Sequence, residues 1–404
     1  MTATSHPPSR RRASGVPDTP PTRAKAQPSV GSVLRWGSQG GPALFMERCW
    51  HRRSALLRGA LEEAASVIDE PTLLRLAGRD DVESRLVIRE GRQYTLEHGP
   101  FTRARFRQLP PRDWTLLVQG LDHHVPAASR LLDHFRFVPQ ARLDDVMVSL
   151  AAPGGGVGPH VDSYDVFLLQ GPGRRHWRHG RQRDLSLDPD QPLKILRHFK
   201  PSNDDILEPG DMLYLPPHVA HDGVAIDRCM TFSIGFRAPE AGDVARGFLE
   251  YLADQTDLAG RFADPGRAAT SHAGRLPPDL IDWIGSTIGR IRWRRSDITR
   301  YAAEYLSTPK PQVLFERPHA PLERKPFLAQ VKRAGIRLDP RSILLYKGQT
   351  IYLNGTVVDP VDKAHVQWLH RFADHRRAEA PPGQALDEWM HVGYECGELL
   401  PGEA

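Results

Sequence analysis

Cysteine is scarce: three in 404 residues, Cys49, Cys229 and Cys396, with no C-x-x-C pair among them. That excludes a disulfide framework and a cysteine-rich zinc module, and a reducing, cytoplasmic setting is the natural expectation. No apolar run reaches the length a membrane-crossing helix needs, so no membrane partner is expected. The first residues have no apolar h-region, so a secretory signal is not expected either. Lysine is rare, 8 of the 54 basic residues. The net charge of +5 is uneven: residues 1–30 carry five basic side chains (Arg10, Arg11, Arg12, Arg23, Lys25) against Asp18 alone. The rest of the chain is nearly neutral, which removes bulk charge as an argument for nucleic-acid binding by the folded body.

What is present fits a globular protein of two or three domains, 40% hydrophobic and 25% charged. Residues 1–41 read as a disordered basic tail, with six prolines in the first 30 positions and little to bury. From Leu44 the apolar pattern turns periodic, and residues 42–135 mix short helices with strand-like pieces. From 145 to 237 short β-rich runs recur between glycine and proline turns: VMVSLA, DVFLLQ, RRHWRHG, LKILRHF, DMLYLPP and MTFSIGF. Such spacing predicts a sandwich or barrel.

After Pro239 the chain turns helical, at 241–257, after the Pro277-Pro278 pair, and at 296–306. In the second of these, Leu280, Trp283, Ile284, Thr287, Ile288 and Ile291 recur at helical spacing, a core stripe or a dimer seam. A hairpin follows in SILLYKGQTIYLNG, with Lys347 and Gly348 at its turn. Two more helices are expected near 361–375 and 385–395. Helices followed by a hairpin resemble a winged-helix module.

The chemistry concentrates in PGGGVGPHVDSYDVFLLQGPGRRHWRHG, residues 153–180. His160 and Asp162 stand two apart, on one face of an extended segment. About 60 residues on, LEPGDMLYLPPHVAH ends at His221, with His218 as a rival. Two imidazoles and one carboxylate are the facial triad of non-haem Fe(II) oxygenases, which leaves three positions open for a bidentate cosubstrate and O₂. H-x-D alone is weak: with 18 His and many Asp it arises roughly once by chance in a chain this long. Context strengthens it, since a glycine-rich turn precedes the pair and an apolar strand follows. Of the adjacent Arg174 and Arg175, only one can face inward on a strand, and Arg175 shares its parity with Trp177.

These residues resemble a known family. PGGGVGPHVDSYDVFLLQGPGRRHWR and EPGDMLYLPPHVAHDGVAI look like the JmjC-type ribosomal oxygenases of bacteria, members of the cupin superfamily. WTLLVQGLDHHVP, RLDDVMVS and SIGFRAP extend the likeness, which is good over 45–239 and loose beyond. The resemblance implies a mixed α+β chain. A double-stranded β-helix (JmjC/cupin barrel) at 42–239 leads into a helical dimerisation region at 240–308 and a winged-helix-like C-terminal domain at 309–404. It implies Fe(II) on His160, Asp162 and His221, and 2-oxoglutarate held by Arg175 with Ser149 as hydroxyl donor. The family more often has glycine where this chain has His218.

The activity it implies is 2-oxoglutarate-dependent protein hydroxylation, with an arginine of large-subunit ribosomal protein sixteen as the characteristic bacterial substrate. A homodimer is implied as well, while contact with nucleic acid through the winged helix or the tail stays open. An arginine substrate would need a carboxylate partner, and Tyr164, Asp165 and Asp222 are candidates for the substrate mouth. Three other readings stay open. They are a histidine hydroxylase of another ribosomal protein, a metal-binding cupin without 2-oxoglutarate, and a non-catalytic winged-helix binding protein.

Overall fold

Near-continuous apolar runs such as VFLL and MLYL give the barrel strands two apolar faces, and the fold buries both. The computed structural model describes residues 34–256, 258–360 and 362–402. The expected tail therefore lies mostly outside the described residues. Its boundary at 41 is corrected: Leu34 is buried, and Trp36 packs its ring 5.2 Å from Phe45 and 5.1 Å from Phe137.

The first half of the chain forms β1 (Ala55–Leu57), β2 (Ser84–Glu90), β3 (Gln93–His98), β4 (Trp114–Val118), β5 (Leu143–Ala151), β6 (Val166–Gln170), β7 (Arg175–Gly180), β8 (Asn203–Leu207), β9 (Met212–Leu215), β10 (Ala220–Ala225) and β11 (Cys229–Phe236). A major sheet runs β1-β9-β6-β11-β5-β4-β2-β3, and a minor sheet runs β10-β7-β8. On the outer face of the major sheet, Phe167, Leu169, Met212, Tyr214, Phe232 and Ile234 join one large core. That core is completed by α1 (Pro42–Arg48), α2 (Glu70–Leu76) and α4 (Pro126–Asp133), while the short α3 (Arg103–Arg107) follows β3. On the inner face, Val166, Leu168, Leu213 and Leu215 meet Trp177 and Leu207 of the minor sheet. Two sheets closing over a shared interior make the expected double-stranded β-helix. The segment LKILRHF is not a strand: among these residues only Leu196 forms an isolated bridge, to Leu187.

Beyond the barrel come α5 (Ala241–Gln255), α6 (Pro278–Ile288) and α7 (Arg295–Ser307). Then follow α8 (Arg324–Ala334), β12 (Ile336–Leu338), β13 (Leu344–Lys347), β14 (Thr350–Leu353), β15 (Thr356–Val358), α9 (Lys363–His375), β16 (Arg377–Ala378), α10 (Asp387–Glu395) and β17 (Leu399–Pro401). This last part has its own core, built on Phe327, Val331, Leu369 and Phe372. Lys347 pairs with Thr350 across the expected tight turn. No helix among the described residues is long and apolar enough to cross a membrane.

The barrel and the C-terminal domain meet at a polar cavity of about 70 Å³, lined from one side by Asp122, His123 and Asp145 and from the other by Lys310, Arg341 and Arg376. Arg376 ends α9 in the left-handed region at φ 57° and donates to the carbonyls of Asp339 and Ser342 at 2.6 and 2.8 Å. Burial pushes its pKa down to about 10 and raises the Asp122 carboxyl to about 6.

Candidate active site

His160 and His221 lie 61 positions apart, yet their backbones form an isolated antiparallel bridge. Each N–H donates to the other's carbonyl at 2.9 Å. The imidazoles follow, with ring centroids 4.2 Å apart. His160 Nδ1 bonds the Gly158 carbonyl at 2.9 Å, and His221 Nδ1 bonds that of Val219 at 3.0 Å. A carbonyl only accepts, so both Nδ1 atoms carry the proton and both Nε2 lone pairs are free. The Asp162 carboxylate lies 3.5 Å from His221 Nε2, and one ligand atom from each of the three residues falls within 4.8 Å of the others. Burial first, then the neighbouring His160, pushes His221 down to about 4, which keeps it a neutral imidazole at neutral pH.

His218 does not join this cluster. It is exposed, and its backbone N–H holds the Asp162 carbonyl at 2.8 Å. Its φ of 61° lies in the left-handed region, which accounts for a glycine preference at such a position.

Arg175 faces inward, as its parity with Trp177 predicts, and is 4% exposed. Arg174 faces solvent and pairs with Asp227 at 2.9 Å. The Arg175 guanidinium lies 5.8 Å over the Trp177 ring, which is itself 6.0 Å from the His221 ring. That places all three side chains in one interior. Gly223 makes room: a Cβ there would sit 2.6 Å from the Trp177 ring. Arg175 Nη2 reaches Cys229 Sγ at 3.7 Å, its Nε has no partner, and no carboxylate pairs with it among the described residues. A buried guanidinium without a counter-charge is costly, and an anionic ligand is what would offset it. Ser149 is buried on β5 opposite Thr231, whose carbonyl its hydroxyl meets at 3.4 Å.

The three mouth candidates separate. Tyr164 is 40% exposed. Desolvation first, then the charges of Asp162 and Asp145, raises its hydroxyl pKa. Asp165 is corrected: it is fully buried on the outer face, where Tyr214 Oη donates to it at 2.6 Å, with His51 Nε2 at 3.1 Å and Arg142 Nη2 at 3.4 Å. It braces β9 and the start of β5 against the turn after α1 and does not face the interior. Asp222 is corrected too. Adjacent to inward His221, it points outward and pairs with Arg178 at 2.5 Å.

The acid missed in the sequence is Asp145, in phase with Ser149 on β5 and therefore on the inner face. Its Oδ2 accepts from Gln119 Nε2 at 2.7 Å and from the Gly120 N–H at 3.2 Å, and burial raises its pKa to about 6. The signal was available, since counting back by twos from Ser149 reaches it.

Residues 130–244 match the JmjC domain model and residues 290–388 the ROXA-like winged helix. The chain is 33% identical over 320 residues to ribosomal protein uL16 3-hydroxylase of Escherichia coli K12, covering 78% of this chain and 84% of that one. It is 37% identical over 218 residues to a probable ribosomal oxygenase of Haemophilus influenzae, covering 53% and 54%. The X-ray structure of E. coli ycfD matches with a TM-score of 0.76 at 29% identity, over 91% of this chain and 98% of that one. The structure of YcfD from E. coli, a ribosomal oxygenase, in complex with cobalt and 2-oxoglutarate matches with a TM-score of 0.74 at 28% identity, over 92% and 99%. With the barrel, the winged helix and the paired histidines all in place, the chain belongs to the JmjC-type ribosomal oxygenases.

Proposed function

We propose that this chain is an Fe(II)- and 2-oxoglutarate-dependent hydroxylase of a ribosomal protein, with an arginine of uL16 as its substrate. The observation that carries the reading is a two-histidine, one-carboxylate cluster sharing a barrel interior with a buried arginine that has no counter-charge. The donor set fits iron: two imidazoles whose Nδ1 atoms are held by backbone carbonyls, and one carboxylate. His160, Asp162 and His221 would hold the metal. Arg175, with the Ser149 hydroxyl nearby on the inner wall, would take the distal carboxylate of 2-oxoglutarate. Bound iron, with 2-oxoglutarate and O₂, supplies the oxidising power to hydroxylate an unactivated C–H bond.

The chain's own residues do the rest. The Gly158 and Val219 carbonyls aim the two imidazoles. Trp177 and the apolar inner face keep water from the interior. Tyr164 and Asp145 line the approach, and Asp145 offers a cationic side chain its carboxylate.

We assign the oxygenase to the barrel through residue 239, a dimerisation region to 240–308 and the winged-helix part to 309–404. The homodimer is supported by α6, in which no residue is buried although Ile281, Ile284 and Ile288 are apolar.

The test is intact-mass analysis of recombinant uL16 after incubation with the enzyme, Fe(II) and 2-oxoglutarate. One added oxygen on an arginine is expected, and none with His160→Ala. Succinate formed without oxygen on uL16 would keep the oxygenase and move the substrate to another ribosomal protein. Iron bound with neither oxygen transfer nor succinate would overturn the reading.

A further inference from the structure

We propose that Cys229 determines cosubstrate specificity, by setting the depth of the pocket and leaving the charge of Arg175 available. This rests on the 2-oxoglutarate reading above and goes beyond it, to a residue with no role in the metal cluster.

The argument begins with what surrounds the guanidinium. Arg175 is buried, and its one side-chain hydrogen-bond partner among the described residues is Cys229 Sγ at 3.7 Å. Sulfur is a weak acceptor. At that distance the thiol orients the guanidinium without satisfying it, and Nε is left with nothing.

The neighbours of Cys229 are small. It forms a separate buried cluster with Ala151 and Ala225. Ala151 is its cross-strand partner on β5, and Ala225 is the cross-strand partner of Arg175 on β10. Four strand ends thus meet around Arg175, and Cys229 is the bulkiest of the three small side chains there. It cannot retreat. Gly173 packs so close behind that a Cβ on it would lie 2.7 Å from Cys229 Cβ, and at φ 73° that position favours glycine.

These placements give Cys229 two effects on a dicarboxylate ligand. Its volume stops the guanidinium from sinking further, which fixes the distance from the metal cluster to the anion. Its poor acceptor strength reserves the guanidinium for the ligand. A carboxylate at 229 would pair with Arg175 permanently and compete with the cosubstrate. An alanine would let the guanidinium settle deeper and admit a longer diacid.

The experiment is calorimetric titration of the full-length, Co(II)-loaded protein with 2-oxoglutarate and with 2-oxoadipate, one methylene longer. Wild type is expected to prefer 2-oxoglutarate by at least about tenfold, the effect of one methylene in a fitted pocket. Cys229→Asp should weaken 2-oxoglutarate binding at least about tenfold with Co(II) stoichiometry and melting curve retained. Cys229→Asn, of the same size without the charge, should bind more tightly than the Asp variant. Cys229→Ala should narrow the preference between the two acids by about tenfold. Equal weakening in Asp and Asn, or wild-type discrimination in Ala, would overturn the proposal. If the Asp variant does not fold, the Ala variant decides alone. Wild type that binds no 2-oxoglutarate would overturn the cosubstrate reading itself, and this one with it.

Discussion

Asp165 and Arg175 are both buried charges, and they differ in whether the protein has answered them. Asp165 has a phenol, an imidazole and a guanidinium around it. Arg175 has a sulfur. The first is a brace and the second is a waiting site. Replacing Asp165 with Asn keeps the acceptor for Tyr214 but removes the charge facing Arg142. A loss of about 1–3 kcal/mol in a denaturation titration is expected, with KM for uL16 unchanged. A raised KM with unchanged stability would return Asp165 to the substrate mouth. At this scale the sequence was legible wherever strand parity could be anchored. His160 and Asp162 share a phase, and Arg175 shares one with Trp177. The same rule should have turned Asp222 away, since it adjoins inward His221, and should have found Asp145. Proximity in sequence to the H-x-D pair was a poorer guide than counting by twos.

Among the described elements, α6 carries an apolar stripe that its own fold leaves in water. Ile281, Ile284 and Ile288 recur at helical spacing and are 52%, 44% and 63% exposed, on a helix that begins with Pro278 at its first turn. Isoleucines in water on one stripe are stabilised by covering, and a second copy of the chain is the occupant we propose. Ile284→Asp should convert a dimer mass to a monomer mass in light scattering, with the melting curve of the barrel retained, and an unchanged mass would remove α6 from the interface. The helices and the 344–353 hairpin were readable because periodicity and turn residues agree there. LKILRHF was misread because an apolar run signals burial without saying what hydrogen-bonds it. Its neighbour β8, with the pattern NDDIL, carries too many acids to look like a strand, yet it pairs along β7 as an edge.

For the molecule as a whole, the joint between barrel and winged helix is where acidity should be felt. Asp122 rises from 3.8 to about 6, mainly through burial. Its contribution to stability is full below pH 3.8 and lost as pH rises through about 6. His123 and His124, lowered from 6.5 to about 4 by burial, act in the opposite sense, contributing above pH 6.5 and losing that as pH falls through 4. In the wild type the Asp122 slope partly offsets those of the two histidines. Asp122→Asn keeps an acceptor for the Val146 N–H and deletes one slope. Relative to wild type, the variant should therefore gain on the order of 1 kcal/mol between pH 5 and pH 7.5 in denaturant titrations. A pH-independent difference would show that Asp122 is ionised throughout. This joint was invisible in the sequence, because the His123-His124 pair and Arg341 lie more than 200 residues apart along the chain and only the fold brings them together.

The backbone bridge between His160 and His221 has a last consequence. Bringing two points 61 residues apart together costs conformational entropy that grows with the logarithm of the loop. Here two mutual hydrogen bonds, on the edge of β10 that the minor sheet leaves open, help meet that cost when the chain folds. An arriving metal ion therefore has nothing to assemble. Stripping and reloading the ion should be a surface-like exchange rather than a refolding, with amide hydrogen exchange around β10 the same before and after.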